Sequence, residues 1–540
     1  MSSHPVAGRT VAPNRRFRLV VCLAASATLL LVTLLAGGIA AAQVAAPHID
    51  NLVPDRGPVG TPVVISGSGF GAIQLTGAVT FNGVLATTIV TWSDTNIVAQ
   101  VPDGARTGPV VVTNAVGSLS NGVVFEVARI PQPQQTWYLA EGCTAYGFDT
   151  YVLMENTTDV DATVNITYNT TQYGSMPRPQ AVNVPPNSRV TLHVNEEVPN
   201  VDVSTEIRSS QKIVCERAMY WNNRIDGHDS IGVTGAARTW YLAEGCTLEG
   251  FETWVLIQNP GQNNAGVDVT YMTSNGTFEK DKFIVRAGER FTIDVFKDVG
   301  ACNVSTKVES DQDVICERSM YWDGRRGGHD SIGVTSPSQE WYLAEGSTAW
   351  GYETWLLLQN PQESAADVDV TYMTSDGPVV EPTFTMQPFS RQTILVNDRV
   401  ENMDTSIEVT SDKEIIAERA MYWDNGTGKA GHDTVGMTEA RNTIYLAEGS
   451  TAWGFQTFVC IQNPNDEDIE VDVTYLTNDG ARPGHKQFVP ANSRVTVYAN
   501  DEIPDRDASI KVEAQVPIMA ERSMYWHEKG GGHNSIGWSP

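Results

Sequence analysis

Short stretches of this 540-residue chain alternate apolar and polar positions with a period of two. Residues 164–168, 267–271, 368–372 and 471–475 each read apolar, polar, apolar, polar, tyrosine. Asn-Pro, Asn-Gly and Asp-Gly pairs interrupt such stretches about every ten residues, and no long segment has an apolar period of 3.6 residues. The pattern predicts short antiparallel strands that form sandwiches of about seven strands each, and it argues against parallel α/β folds with nucleotide-binding crevices.

Two phrases recur four times along the chain. Trp-Tyr-Leu-Ala-Glu-Gly occupies 137–142, 240–245 and 341–346, and returns with Ile in place of Trp at 444–449. Glu-Arg-x-Met-Tyr-Trp begins at 216, 317, 418 and 521, and a Gly-His-Asp/Asn-Ser/Thr phrase follows it each time. Because the unit is far longer than the 20 to 50 residues of a solenoid repeat, each copy is predicted to be a β-sandwich domain of its own, here called repeat 1 (136–238), repeat 2 (239–339), repeat 3 (340–442) and repeat 4 (443–540).

The N-terminal segment has the pattern of an export signal. Arg9, Arg15, Arg16 and Arg18 precede an apolar run over 19–36, and small residues at 40–42 suit cleavage. Residues 1–42 are therefore predicted to be a signal peptide, with an uncleaved anchor as the alternative. No sorting motif or second apolar run follows, so the protein is expected to be secreted or held at the cell surface.

The charge of the chain excludes some partners. There are 36 Lys and Arg against 64 Asp and Glu, a formal net charge of −28. Such a surface repels nucleic-acid phosphates and anionic lipids. The expected partner is an extracellular glycan or protein surface, with no nucleic acid and no membrane contact beyond the signal segment.

A different module precedes the repeats. Its sequence opens with Pro-Asp-Arg-Gly-Pro-Val-Gly-Thr at 54–61, continues as Val-Val-Ile-Ser-Gly-Ser-Gly-Phe-Gly at 63–71, and later contains Val-Thr-Phe-Asn-Gly at 79–83 and Thr-Gly-Pro-Val-Val-Val-Thr at 107–113. Residues 47–128 resemble the IPT/TIG family, which implies an immunoglobulin-like sandwich and says little about activity. Residues 129–135, with Pro131 and Pro133, are predicted to be a short stiff linker. The four repeats resemble uncharacterised repeats of bacterial exported proteins, a resemblance that implies no activity.

Cysteine usage suggests two disulfides. Cys143 and Cys246 occupy one position of repeats 1 and 2, and Cys215 and Cys316 occupy another, while repeats 3 and 4 lack both. Since bonded partners are lost together, the bridges Cys143–Cys215 and Cys246–Cys316 are predicted, against the alternative of buried thiols. Cys302 and Cys460 have no counterparts, and their redox state stays open.

If the bridged strands are antiparallel neighbours, Glu141 lies opposite Arg217 and Trp137 opposite Trp221. A bridge between facing sheets would break this register but not necessarily the charge pairing. Each repeat is thus expected to contain a structural Glu–Arg ion pair. The four pairs are Glu141–Arg217, Glu244–Arg318, Glu345–Arg419 and Glu448–Arg522.

The recurring acids and histidines also resemble the components of a hydrolase. Residues needed to fold a domain must recur with it, however, whereas an active site is seldom needed four times. The Gly-His-Asp-Ser phrase is interpreted as a turn whose Asp bonds nearby backbone amides. No zinc motif or nucleophile elbow is present, so the chain is predicted to be non-catalytic, without cofactor or metal. A hydrolase with Glu141-type and His228-type residues is the least favoured reading.

One turn position differs between the repeats. Tyr146, Trp350 and Trp453 precede a Gly and an aromatic residue, and repeat 2 has Glu249 there. Core positions rarely accept Glu, so the position is predicted to be exposed and able to stack on a sugar or a partner, with packing on its own domain as the alternative. The leading hypothesis is a non-catalytic exported protein at the cell surface or outside the cell, whose repeats form an extended stalk or an adhesive and structural array. The alternative is a carbohydrate-binding array that assists polysaccharide or cell-wall processing.

Overall fold

The computed structural model describes residues 46–57, 61–102, 104–127, 135–424, 426 and 428–539. The predicted signal segment, its Cys22 and the linker prolines lie outside these residues. The chain divides into two compact units, 1–129 and 130–540. No helix in the described part of the chain has the length and hydropathy that crossing a bilayer requires.

The first unit is the predicted sandwich of two sheets. One has the strand order β1-β3-β7-β6, and the other has the order β2-β9-β8-β4-β5. Val63, Ile65, Phe81 and Phe125 are buried among its core residues. The strands are β1 His48–Val53, β2 Arg56–Gly57, β3 Pro62–Ser68, β4 Ala78–Phe81, β5 Val84–Leu85, β6 Ile89–Trp92, β7 Asn96–Gln100, β8 Gly108–Thr113 and β9 Val123–Val127.

Repeat 1 is also a sandwich of two antiparallel sheets, with the strand orders β10-β16-β12-β13 and β15-β11-β17-β18. The short β14 pairs with β12. The Trp137 indole is fully buried and donates to the carbonyl of Ile213 at 3.0 Å. The elements are β10 Gln135–Leu139, β11 Asp149–Asn156, β12 Ala162–Thr170, β13 Gly174–Pro177, β14 Val182–Val184, β15 Ser188–His193, a 3-10 turn Val194–Glu196, β16 Ser204–Ser209, β17 Ile213–Trp221 and β18 Asp226–Ile231.

Repeats 2 to 4 keep this arrangement, but one long strand passes through both sheets. Repeat 2 has β19 Ala237–Leu242, β20 Glu252–Gln258, β21 Ala265–Thr273, β22 Gly276–Val285, β23 Arg290–Asp294, α1 Val295–Val299, β24 Val304–Trp322 and β25 Gly327–Ile332. Repeat 3 has β26 Ser338–Leu343, β27 Tyr352–Asn360, β28 Ala366–Thr374, β29 Gly377–Val380, β30 Phe384–Met386, β31 Ser390–Leu395, a 3-10 turn Val396–Asp398, β32 Thr405–Asp424 and β33 Lys429–Val435. Repeat 4 has β34 Arg441–Leu446, β35 Gln456–Asn463, β36 Ile469–Thr477, β37 Gly480–Pro483, β38 Gln487–Val489, β39 Ser493–Tyr498, α2 Ala499–Glu502, β40 Ala508–Trp526 and β41 Gly531–Ile536. The all-β prediction is confirmed.

The expected strand register is wrong. Trp137 on β10 lies opposite Ile207 of β16, and Trp221 on β17 pairs with Asp226 of β18. The strands of the two recurring phrases therefore belong to different sheets. A single repeat does not place Glu141 and Arg217 opposite each other on neighbouring strands.

The predicted disulfides are absent, because the six cysteines of the described residues are free thiols. The backbone of Cys143 forms an isolated β-bridge with that of Asp202. Cys215 lies on β17, where its backbone is opposite Met154 of β11 in the other sheet. Cys246 and Cys316 are separated in the same way: the backbone of Cys246 is opposite Asn303, and that of Cys316 is opposite Ile257. Cys302 and Cys460 are buried thiols.

The four repeats form a closed ring and not an extended stalk. Strands β18, β25, β33 and β41 each contact the next one, and β41 contacts β18. The closure is visible in one hydrogen bond that every junction repeats: Trp221 Nε1 donates to the carbonyl of Arg325, and Trp526 Nε1 donates to that of Ile225 at 2.8 Å. Repeat 4 thus contacts repeat 1 as each repeat contacts its successor.

Candidate functional site

The recurring polar residues meet at the four junctions of the ring. The second junction, between repeats 2 and 3, shows the arrangement. The hydroxyl of Tyr422 lies 3.1 Å from Glu244 Oε1 and 2.9 Å from His329 Nε2. His329 Nδ1 lies 2.9 Å from Asp433 Oδ1, and Arg318 bonds the other oxygen of Asp433. All five side chains are buried. The carboxyl, phenol and imidazole form a continuous hydrogen-bonded chain across the junction.

The His–Asp contact recurs at the first and fourth junctions with residues of successive repeats. His228 Nδ1 lies 2.7 Å from Asp330 Oδ1, and His533 Nδ1 lies 2.8 Å from Asp229 Oδ1. The Asp of the Gly-His-Asp phrase therefore contacts a neighbouring repeat. Its expected role as a cap for local backbone amides is wrong.

The Glu of the second phrase also crosses a junction. Glu317 Oε1 accepts the Ala140 amide at 2.6 Å, and its Oε2 accepts from Arg217 at 2.9 Å. In the closing contact, Glu216 accepts the Ala447 amide and a bond from Arg522. Both phrases recur because each provides one side of a junction.

The expected Glu–Arg pairs form at longer range than a hydrogen bond. Arg318 lies 3.5 Å from Glu244, Arg419 lies 3.7 Å from Glu345, and Arg522 lies 3.6 Å from Glu448. Arg217 forms its ion pairs with Glu317 and Asp330 instead, and its charge only opposes the burial that raises the pKa of Glu141. The shorter contacts of these arginines are with a Glu and an Asp of the next repeat, or with Glu521 and Asn534 for Arg419, which the sequence did not reveal.

At two junctions, side chains of the types that bind metal ions lie close together. One group is Glu244, His329 and Asp433, and the other is Asp229, Glu448 and His533. In each group an arginine contacts both carboxylates, with Arg318 bonded to Asp433 and 3.5 Å from Glu244. The guanidinium occupies the place of a cation, so these groups are better described as ion-pair networks than as metal centres.

A cleft opens beside each of the first two networks. The first cleft, between repeats 1 and 2, has a volume of about 190 Å³ and the second about 300 Å³. Repeat 1 contributes Glu141, Cys143, Tyr146, Phe148 and Asp202 to the first cleft, and repeat 2 contributes Trp254, Leu256, Arg290, Thr292, Tyr321 and Arg325. Glu141 and Tyr321 are buried and form its floor. His228 lies beneath, bonded to the Tyr321 hydroxyl at 3.1 Å.

Each predicted turn aromatic lies two residues before a ring that packs across a junction, on Tyr321, Tyr525 or Tyr220, and the predicted exposure is confirmed. Tyr146, Trp350 and Trp453 are 87%, 74% and 77% exposed. Each has a positive φ of 51° to 56° and precedes a glycine at 84° to 86°. Glu249 has the same left-handed backbone in repeat 2, with a φ of 51°, so this conformation belongs to the turn of every repeat and does not depend on the aromatic residue. Tyr146 borders the first cleft, and its counterpart Glu249 borders the second.

The environments of the floor carboxyls differ. Burial raises the pKa of Glu141 to about 7, although Arg217, His228 and Arg290 act against it. Burial raises the pKa of Glu244 to about 7 as well. Burial also acts to raise the pKa of Glu345, but His432, Arg419 and the Ser523 hydroxyl hold it below its usual value. A carboxyl that is uncharged near neutral pH can donate as well as accept a hydrogen bond.

Comparison with known proteins places most of the chain in a family. The Family of unknown function (DUF5719) matches residues 127–334 and again 319–540. The chain belongs to the DUF5719 family. Each match of this DUF5719 chain spans two repeats, and residues 47–127 match the IPT/TIG domain as predicted.

The similarity to other proteins is partial. The cyclomaltodextrin glucanotransferase of Paenibacillus macerans is 34% identical over 127 residues, which are 22% of this DUF5719 chain and 18% of that protein. The gamma-CGTase structure of an alkalophilic Bacillus clarkii is 23% identical and covers 33% of this chain and 24% of that one, with a TM-score of 0.15. SGBP-B of Bacteroides ovatus, in complex with a mixed-linkage heptasaccharide, is 10% identical to this chain. The match covers 48% of this chain and 74% of that one, with a TM-score of 0.11. The DUF5719 chain spans under a fifth of the curated relatives' length, and TM-scores this low say nothing about its ligand.

Proposed function

We propose that this chain is an exported, non-catalytic glycan-binding protein whose junction clefts act together as a polyvalent array. The observation that carries the proposal is the exposed aromatic side chain on the turn beside three of the four junctions. In the first cleft this ring shares the mouth with Trp254 and with polar groups of both signs. A concave site with aromatic walls and a few polar groups is the usual form of a small-molecule site.

The closed ring of four repeats is better suited to polyvalent glycan binding than to the role of an extended adhesive stalk. Its closure fixes the clefts relative to each other, because every junction is held by buried ion pairs and by an indole bond. Fixed sites of low individual affinity retain a polyvalent surface strongly when their spacing suits it. Cell-surface adhesion through glycans is the corresponding role outside the cell.

The test measures retention of the purified full chain on immobilised neutral glycans. Maltodextrin is the first surface, because the curated relatives' name refers to cyclomaltodextrin. The triple variant Tyr146→Ala, Trp350→Ala, Trp453→Ala is expected to lose about 100-fold or more in apparent affinity, as avidity disappears with the individual sites. Glu249→Ala changes the same turn position in repeat 2 without removing a ring, and it is the matched control. Equal retention of wild type and triple variant on every glycan would refute the proposal.

Glycan hydrolysis is a second candidate function. Glu141 and Asp202 line the same cleft, and the Glu141 pKa of about 7 suits a general acid. The wild type would be incubated with each glycan that retains it, and hydrolysis would be detected as newly formed reducing ends. Their abolition in Glu141→Gln would assign the reaction to this cleft, whereas binding without product supports the non-catalytic function.

A further inference from the structure

The first cleft differs from the other junctions in its polar atoms. Glu141 and Arg290 are only 5% and 3% exposed, yet both line the cleft. Glu141 Oε2 and Arg290 Nε are buried and have no hydrogen-bond partner within the protein. Unpartnered buried polar atoms are rare in folded proteins because each forfeits its hydration. The free Oε2 recurs on Glu244 and Glu448, so the first cleft is set apart by having a free buried Nε donor in addition to the free acceptor.

The rest of Arg290 is fixed in place. Its Nη1 donates to the carbonyl of Gly142 at 2.6 Å and to that of Val203 at 3.3 Å, and its Nη2 donates to the hydroxyl of Thr292 at 2.9 Å. These bonds hold the guanidinium across the junction. These three bonds leave the N–H of Nε and the second N–H of Nη2 without a protein acceptor.

The corresponding arginines of later repeats are satisfied by the protein. Arg391 Nε donates to the Ser305 hydroxyl at 3.2 Å, and Arg494 Nε donates to the Ala344 carbonyl at 3.2 Å. Among the cleft arginines of the described chain, the buried Nε without a partner belongs to Arg290. Arg189, the counterpart at the closing junction, repeats the Nη1 and Nη2 bonds of Arg290, so what is particular to the first cleft is that the free Nε is also buried.

We propose that the first cleft binds the terminal ring of a neutral glycan, with Glu141 Oε2 and Arg290 Nε bonding two neighbouring hydroxyls and Tyr146 or Trp254 covering the ring. This inference rests on the proposed glycan-binding function and names the ligand. Two acids and two arginines line the cleft, namely Glu141, Asp202, Arg290 and Arg325, so the lining favours no charged sugar. A sugar diol provides the donor and acceptor that the two free atoms require.

The size of the cleft selects a chain end. Its volume of about 190 Å³ accommodates one sugar ring, and buried Glu141 and Tyr321 close its floor. A ring in the middle of a glycan has neighbours on both sides and cannot descend to the floor. The cleft is therefore expected to recognise terminal residues.

The test compares linear and cyclic forms of one glycan by calorimetry on the full chain. The probes are linear malto-, cello-, xylo- and manno-oligosaccharides, and cyclomaltohexaose serves as the end-free partner of maltohexaose. Wild type is expected to bind at least one linear probe. Glu141→Gln and Arg290→Lys should each weaken one class of sites tenfold or abolish it, and cyclomaltohexaose should not compete for that class.

Glu345→Gln is the matched control, since protein groups already bond both oxygens of Glu345. Its expected change in affinity is under twofold, and thermal melting of each variant verifies folding. If a linear probe binds but Glu141→Gln, Arg290→Lys and Tyr146→Ala all match wild type, or cyclomaltohexaose competes fully, the inference is wrong and the glycan-binding function stands. If wild type binds no probe and no glycan surface, the proposed function fails together with the inference.

Discussion

Asn534 donates its side-chain amide to Oε2 of Glu345 at a distance of 2.7 Å. Ser523 also donates to this oxygen, and the Tyr525 hydroxyl donates to the other one at 3.1 Å. At the remaining junctions an aspartate replaces Asn534, and Oε2 of the corresponding glutamate is buried without a hydrogen-bond partner. The three affected glutamates are Glu141, Glu244 and Glu448. Asn534 and Ser523 thus satisfy Oε2 of Glu345 together, whereas at the other junctions an Asp replaces Asn534 and the place of Ser523 is taken by Ser319, Ala420 or Ala218.

The first prediction concerns this exchange. Asp330→Asn should lower the pKa of Glu141 by roughly one unit, because the Asp330 charge is among the causes that raise it. A side-chain carboxyl titration by carbon-13 NMR would measure the change. The reciprocal variant Asn534→Asp should raise the pKa of Glu345. Shifts of opposite sign to these would contradict the assignment.

The second prediction concerns stability against pH. The folded-state pKa of Glu141 is about 7 and its ordinary value is 4.5, so folding favours the protonated form. Its contribution to the free energy of unfolding is present in full below about pH 4.5 and is lost as the pH rises to about 7, a difference of about 3 kcal/mol. Urea unfolding should therefore show Glu141→Gln gaining stability relative to wild type between pH 4.5 and 7.

Glu345→Gln provides the opposite case. The pKa of Glu345 is lowered, so its charge stabilises the fold above its ordinary pKa and that contribution is lost on acidification. This variant should be less stable than wild type at pH 7, and the difference should shrink towards acidic pH. Parallel pH profiles for the two variants would show that the carboxyl environments are alike.

The third prediction tests ring closure. Arg522 lies buried between Glu216 and Asp229 of repeat 1. Arg522→Met leaves two buried carboxylates without their cation, which costs about 3 to 5 kcal/mol of unfolding free energy. Chemical denaturation measures the loss. Lys282→Met removes a surface ion pair with Asp268 and should have no measurable effect. Equal stability of both variants would mean that repeat 4 does not dock on repeat 1.

The fourth prediction concerns the thiols. In the native protein a water-soluble maleimide should label Cys246, which is partly exposed, far faster than the other described cysteines, which are buried. Burial also raises the pKa of Cys143 to about 12 and so depletes its reactive thiolate. Mass spectrometry with and without reductant monitors the labelling, and Cys246→Ser should abolish the fast phase. A mass gain of two hydrogens per pair on reduction would instead show disulfides.

The sequence predicted the sandwich architecture, the IPT/TIG domain and the exposed turn aromatics, because alternation, turn residues and a tolerated Glu249 are local signals. It did not predict the ring. Arg217 bonds Asp330 and Glu317, which lie in the next repeat, and nothing local distinguishes such a contact from one within a repeat. The paired loss of Cys143 and Cys215 suggested a bond, but the two thiols occupy different sheets. Recurrence showed which residues matter without showing which copy they contact.

The closed ring also bears on connectivity. The ring centroids of Trp137 and Trp538 lie 5.2 Å apart. Tyr445, near the start of repeat 4, forms a backbone β-bridge with Trp538, near the end of the same repeat. The first and last strands of the four-repeat unit are therefore neighbours, as are those at every internal boundary. A circular permutant that joins residue 539 to residue 136 through a short linker and opens the chain between repeats 2 and 3 would keep all four junctions, so the order in which the repeats are synthesised is interchangeable.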